Sequence, residues 1–233
     1  MATVATETTT TAISVWRNIP RSEFPEQDLR PERYRIKARG FEGPIDTVQK
    51  IQGVILAVRA ARWLPETETA DSDVPNTQCE LIEPGIGRWI IRPGDPESAV
   101  EERTCAECPM NRWGTATNGG RGKACREKRL LLVMRDQEDI PIVVVAPPTS
   151  IIAVAQFETR AAARRLRLGQ IHVQLSATYK KVGQMEWGVL AVEELGLLDE
   201  EAQSHLVQRL LQGPVSDMYQ QWTRPLVHQD AGF

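Results

Sequence analysis

The chain has 233 residues, 41% of them apolar and 25% charged, with a formal net charge of −3 and 4 cysteines. That gives room for one large domain with an insertion, or two small ones, and the mild negative charge does not by itself point to nucleic acid. No run approaches the roughly eighteen apolar residues of a membrane span, and Met1–Thr8 has no apolar core, so neither a span nor a signal peptide is expected and the chain reads as cytosolic.

Residues 1–45 read as an extended or disordered arm. The Thr-rich run at 6–11 lacks periodicity, and Pro20, Pro25, Pro31 and Pro44 forbid a long helix. Val48–Trp63 is rich in strand formers, with Gly53 as a bulge or bend, and predicts a long curved strand. A segment full of Pro and Gly follows, and it holds all the cysteines. Arg129–Met134 and Ile140–Ala146 are short apolar runs separated by Arg135–Asp139, which predicts a hairpin. Pro147–Ser150 is a helix start signal, and the helix is expected over Ile151–Leu168. Ile171 to Tyr179 alternates apolar and polar residues with a period of two, as a half-buried strand does. A turn at Lys181–Gln184 leads to a last strand over Met185–Val192. Asp199 caps a final helix with Ala202, Leu206 and Leu210 on one face, stopped by Gly213-Pro214.

Five strands with one helix between the third and fourth predict a mainly β fold with some α: an OB-like barrel with an insertion between its first two strands and a C-terminal helix. The expected division is an arm at 1–45, an OB-like domain at 46–198 containing a zinc-binding insertion at 65–128, and a helix and tail at 199–233. In such a barrel two loops frame an oligonucleotide site. Here they are the cysteine segment and Lys180-Lys181-Val182-Gly183, and both are basic.

Cys105 and Cys108 form a Cys-x-x-Cys knuckle, and Cys79 and Cys125 can complete a tetrahedral shell of four thiolates around zinc. Two disulfides and scattered free cysteines are the competing readings, and the first is disfavoured where thiols stay reduced. Four cysteines close the shell, which leaves no open position for a catalytic zinc, and His172, His205 and His228 are dispersed.

Charge is segregated along the chain. From Arg121 to Arg135 there are six basic residues and one acidic, while Glu66–Glu80 and Glu186–Glu201 contain no Lys or Arg. Arg112, Arg121, Lys123, Arg126, Lys128, Lys180 and Lys181 are therefore candidate phosphate contacts. Gly119, Gly120 and Gly122 either let backbone approach a phosphate or simply turn the ribbon. Trp63, Trp89 and Trp113 are candidate stacking platforms, with Trp113 favoured because it lies in a loop between Arg112 and Gly114. Tyr179 falls on the apolar phase of its strand and is expected in the core. Arg160, Arg164 and Arg167 are expected to be a solvated helix face. A phosphate-binding loop at Gly122-Lys123 fails on spacing, since Thr117 and Ala124 stand where a glycine and a hydroxyl are needed. No catalytic constellation is present in the sequence, so no enzyme is expected.

The run Cys105-x-x-Cys108-Pro109-x-Asn111-x-Trp113-Gly114, with Gly122-Lys123-Ala124-Cys125, Pro75 ahead of Cys79, and Pro147–Ser150, resembles phage and mobile-element single-stranded-DNA-binding proteins over roughly residues 48–195. The resemblance implies an OB-like core, a structural zinc and sequence-tolerant binding of single-stranded DNA, or RNA, in replication or recombination within a bacterial cytoplasm. Replication or recombination proteins, and further copies of the chain, are the implied partners. The end Gln229–Phe233 departs from the acidic tip that many such proteins carry. The competing expectation is a zinc-stabilised interaction module or a structural subunit of a nucleoprotein assembly.

Overall fold

The computed structural model describes residues 31–64, 77–83, 86–91, 99–116, 120–136, 138–211 and 214–223. The first thirty residues of the expected arm lie outside them. The rest of that arm contributes strands β1 (Arg33–Lys37) and β2 (Gly40–Glu42), followed by β3 (Thr47–Val48). The predicted first strand is β4 (Lys50–Leu64), and the cysteine segment adds β5 (Thr77–Glu83), β6 (Ile86–Ile91) and β7 (Ala99–Thr104). Then come β8 (Arg126–Arg135), β9 (Ile142–Ala146), helix α1 (Ile151–Ala163), β10 (Ile171–Val182), β11 (Met185–Leu197), α2 (Glu200–Leu211) and α3 (Pro214–Thr223).

The strands form one 11-stranded sheet. Eight of them, in the order β3-β2-β1-β9-β8-β4-β10-β11, curl into a mixed half-barrel, and β5–β7 extend from the end of β4 as a small antiparallel sheet. The join is short: Trp63 pairs with Glu80 and Leu64 with Cys79.

The expected five-stranded OB barrel is thus corrected. Its five strands are present close to their predicted places, but they do not close on one another alone. β1 lies parallel to β9, with Tyr34 opposite Val144 and Arg35 opposite Val145, and so occupies the free edge of β9. β2 and β3 then widen the sheet further. Tyr34 explains the added strand. It is fully buried in the main core, and its hydroxyl donates to Asp46 Oδ1 at 2.7 Å.

That core gathers Ile51, Ile55, Leu131, Val133, Val144, Val173 and Leu175 from the inner sheet face with Val154, Phe157 and Ala161 of α1. The helical residues recur at i, i+3 and i+7, the spacing of one buried stripe. Each large apolar side chain so buried contributes about 1.5–3 kcal/mol. At Gly53 backbone runs so close to β8 that a Cβ would collide with the Met134 carbonyl. The same residue pairs with Arg135 on one side and Val173 on the other, which is why this position takes glycine. Where β4 turns its other face outward, Val54 and Met134 are covered by Leu210 of α2 and Val215 of α3. Asp199 caps α2 as expected, its Oδ1 accepting from the Ala202 backbone N–H at 2.8 Å.

Among the described residues no helix is long and apolar enough to cross a membrane.

A candidate cysteine-rich metal centre and nucleic-acid surface

All four cysteines are buried and free of disulfides. Cys79 sits on β5 opposite Trp89 of β6. Cys105 and Cys108 lie in the turn leaving β7, where the Cys108 N–H donates to the Thr104 carbonyl at 3.1 Å. Cys125 stands just before β8, its N–H donating to the Met110 carbonyl at 2.9 Å. Cys79, Trp89, Cys108 and Ala124 share a small core with Met110 packed against it.

Burial pushes the Cys79 thiol up to about 12, and the thiols of Cys125, Cys105 and Cys108 push it further the same way. Cys105 and Cys125 are raised as well, first by burial, with the Arg62 guanidinium opposing the rise at both. The Cys79 thiol therefore lies within electrostatic reach of the other three. The four are not drawn into a finished coordination shell: among the described residues no three His, Cys, Asp or Glu side chains form a group that could hold a metal ion. On donor chemistry the residues nevertheless fit. Four buried soft sulfurs suit zinc, and the Glu127 carboxylate that acts on Cys105 is itself engaged by Arg62 and Arg129.

One residue that the sequence reading passed over organises this turn. Asn111 Nδ2 donates to the Cys105 carbonyl at 2.7 Å, while its Oδ1 accepts from Arg62 Nη1 at 2.8 Å and from Lys123 Nζ at 3.2 Å. It ties the knuckle to β4 and to the strand that returns through Cys125. Thr115 adds a second tie, its Oγ1 donating to the Arg112 carbonyl at 2.8 Å and accepting from the Ala124 N–H at 3.0 Å. The signal available in the sequence was Asn111 inside the cysteine motif, but its role depends on Arg62, 49 positions away.

The candidate nucleic-acid residues divide into groups. Trp113 is 78% exposed, and Nζ of half-buried Lys123 lies 5.5 Å from its ring centroid, so an open ring has a cation at its side. Arg112 and Arg121 are exposed beside them. Trp89 is only 5% exposed, packed in the cysteine core beneath Arg103 at 4.3 Å from the ring centroid, so it is not a stacking platform. The Trp63 side chain lies outside the described residues, as do Pro75, Thr117 and Gly119; its backbone pairs with Arg126. Arg126 and Lys128 lie on β8, on the face away from the main core.

Lys180 and Lys181 are exposed on the β10–β11 hairpin, with Lys181 Nζ 3.0 Å from Glu186. They do not frame a site together with the cysteine segment. Lys50 pairs with Ser176 at one end of β4, while Leu64 pairs with Cys79 at the other. At about 3.3 Å per residue the two loops leave a strand some ~45 Å long from opposite ends. Tyr179 is 39% exposed rather than core, because the buried phase of β10 ends near Leu175 and the hairpin runs on past it; the ring lies 5.8 Å from the Arg39 guanidinium. The helix expected to reach Leu168 ends at Ala163, and Arg160 within it and Arg164 just past its end are not simply solvated either. Arg160 and Arg164 both pair with Glu194 of β11, at 3.4 and 2.5 Å.

No family model, no curated protein and no solved structure matches this chain.

Proposed function

We propose that the chain binds single-stranded DNA or RNA with little sequence preference, in replication or recombination, and carries out no chemistry of its own. The observation that carries the reading is the Trp113–Lys123 pair. An exposed indole stands beside a half-buried ammonium that is held by Asn111, on a turn tied down by Asn111, Thr115 and the buried cysteines. An exposed ring stacks on any base because every base has a π-face, and a neighbouring cation meets the phosphate.

Cys79, Cys105, Cys108 and Cys125 would hold one zinc ion. When bound it would keep the thiols deprotonated and contribute folding free energy to a small sheet that lacks a large core of its own. The host compartment on this reading is the bacterial cytoplasm, where the cysteines stay reduced and available to metal.

The test uses the full chain as purified. Elemental analysis should find about one zinc per chain, and fluorescence anisotropy should show saturable binding of a labelled oligonucleotide at low salt. A chain that holds zinc but binds no oligonucleotide belongs to the interaction-module class, with its basic turn meeting acidic protein. A chain without metal would remove zinc from the account.

A further inference from the structure

The outer face of the half-barrel carries cations from three strands that are far apart in sequence. On β1 the residues alternating with buried Tyr34 and half-buried Ile36 are Arg33, Arg35 and Lys37. Arg35 lies opposite Val145 of β9, Val145 opposite Leu130 of β8, and Leu130 opposite Arg59 of β4. On the same face of β8, Lys128 and Arg126 flank Leu130 at two and four residues. Side chains two apart on a strand share a face, so the register alone places Arg33, Arg35, Arg59, Arg126 and Lys128 on one surface.

That surface has further properties. No carboxylate occurs at these outward positions of β1, β4, β8 and β9. Glu42 on neighbouring β2 is engaged by Lys37 at 2.9 Å. Among the described residues Arg33, Arg35 and Arg126, all exposed, make no ion pair. Arg35 and Arg126 come near enough to Lys128 to lower its pKa, adding to the larger effect of burial. Between the cations lie the half-buried apolar side chains of Val145, Leu130 and Ala61. At the border with α3 the guanidinium of Arg59 lies 5.6 Å from the ring centroid of Trp222.

We infer that this strip is a track for the phosphate backbone of a single nucleic-acid strand, running from the β1 arginines across β9 and β8 to Arg59 and Trp222. The inference rests on the single-strand reading and adds a surface that reading did not contain. Glu42 stands opposite Arg35 but is held by Lys37, so the crowded cations still raise the local potential, and a polyanion relieves their mutual repulsion. Apolar side chains between them suit sugars and base edges, and an aromatic ring at the border gives a stacking platform of the kind that single-strand grooves use. The track also assigns a task to the residues before β4. β1 widens the sheet and brings two arginines to the strip at the same time.

The test is the salt dependence of binding by the full chain to a labelled oligothymidylate. For single strands log K falls with log salt by about 0.7 per neutralised phosphate. Arg33→Ala with Arg35→Ala should therefore lower the slope by about 1.4, and Arg33→Lys with Arg35→Lys should restore it. As a control, Lys50→Ala with Arg165→Ala removes two exposed cations away from the strip and should leave the slope unchanged. Circular dichroism of each variant checks that the sheet is retained. If the parent binds and the β1 alanine variant keeps the parental slope, or the control loses as much, the track is overturned while the function reading stands. If the parent binds no oligonucleotide at all, the function reading fails and the track falls with it.

Discussion

Trp113 makes few contacts, so its removal separates binding from folding. With the residue 78% exposed, Trp113→Ala should change stability by no more than about 0.5 kcal/mol, as surface substitutions do. If the indole stacks on a base, affinity should fall by roughly 1–3 kcal/mol, about ten- to a hundredfold, with the salt slope unchanged. A metallated, stable Trp113→Ala protein that binds like the parent would remove this residue from the site. Asn111 predicts the opposite pattern. Its side chain joins the Cys105 carbonyl, Arg62 and Lys123, so Asn111→Ala should loosen the knuckle. Residues that orient metal ligands typically affect metal affinity by ten- to a hundredfold, and competition with a chromogenic chelator should show zinc lost that much more readily. Unchanged retention would mean that the bonds hold the turn only and not the metal. At this scale the sequence exposed the cysteines and Trp113, because a spaced motif and a loop tryptophan are local signals. It did not expose the burial of Trp89, which depends on a cross-strand partner, Cys79, ten positions earlier.

Among elements, β1 shows how much a strand can rest on one side chain. Burial, and then the bond to Asp46, push the Tyr34 phenol up to about 12 from an ordinary value near 10. The folded chain therefore holds this proton more tightly than the unfolded chain. The corresponding stability is complete below about pH 10 and is lost as pH rises toward 12. Urea midpoints measured between those limits should fall for the parent and fall less steeply for Tyr34→Phe; parallel curves would show that Tyr34 does not govern alkaline stability. β10 and β11 were legible because one face is buried and the other wet, which writes a period of two into Ile171–Leu175. The cap at Asp199 was legible because it needs only three residues of context. β1 was not. Its partner β9 is about a hundred residues away in the chain, the pairing is parallel, and the alternation in Arg33–Lys37 lasts only five residues within a segment that Pro31 and Pro44 mark as irregular. β5–β7 escaped for a related reason: their ladder is fixed by the buried core around Cys79 and Trp89, in a segment whose composition reads as loop.

For the molecule as a whole, the extra edge strands change which side chains share a face. A five-stranded barrel would have offered two basic loops as the walls of one cleft; the half-barrel separates those loops to opposite ends of β4. It offers in their place an outer face on which Arg35, Arg126 and Lys128 converge. The net charge of −3 conceals that arrangement, because composition averages over faces that the register keeps apart. A protein built in this way should follow a flexible single strand, whose bases are free to stack, more tightly than a duplex, whose bases are already stacked. The most direct measurement is a competition: a labelled oligothymidylate bound to the full chain, displaced by unlabelled single strand or by unlabelled duplex at the same phosphate concentration and salt. The account predicts that single strand displaces the label at a concentration at least about tenfold lower, the equivalent of one stacked base at roughly 1–3 kcal/mol. Equal displacement by duplex, or displacement by neither, would contradict it.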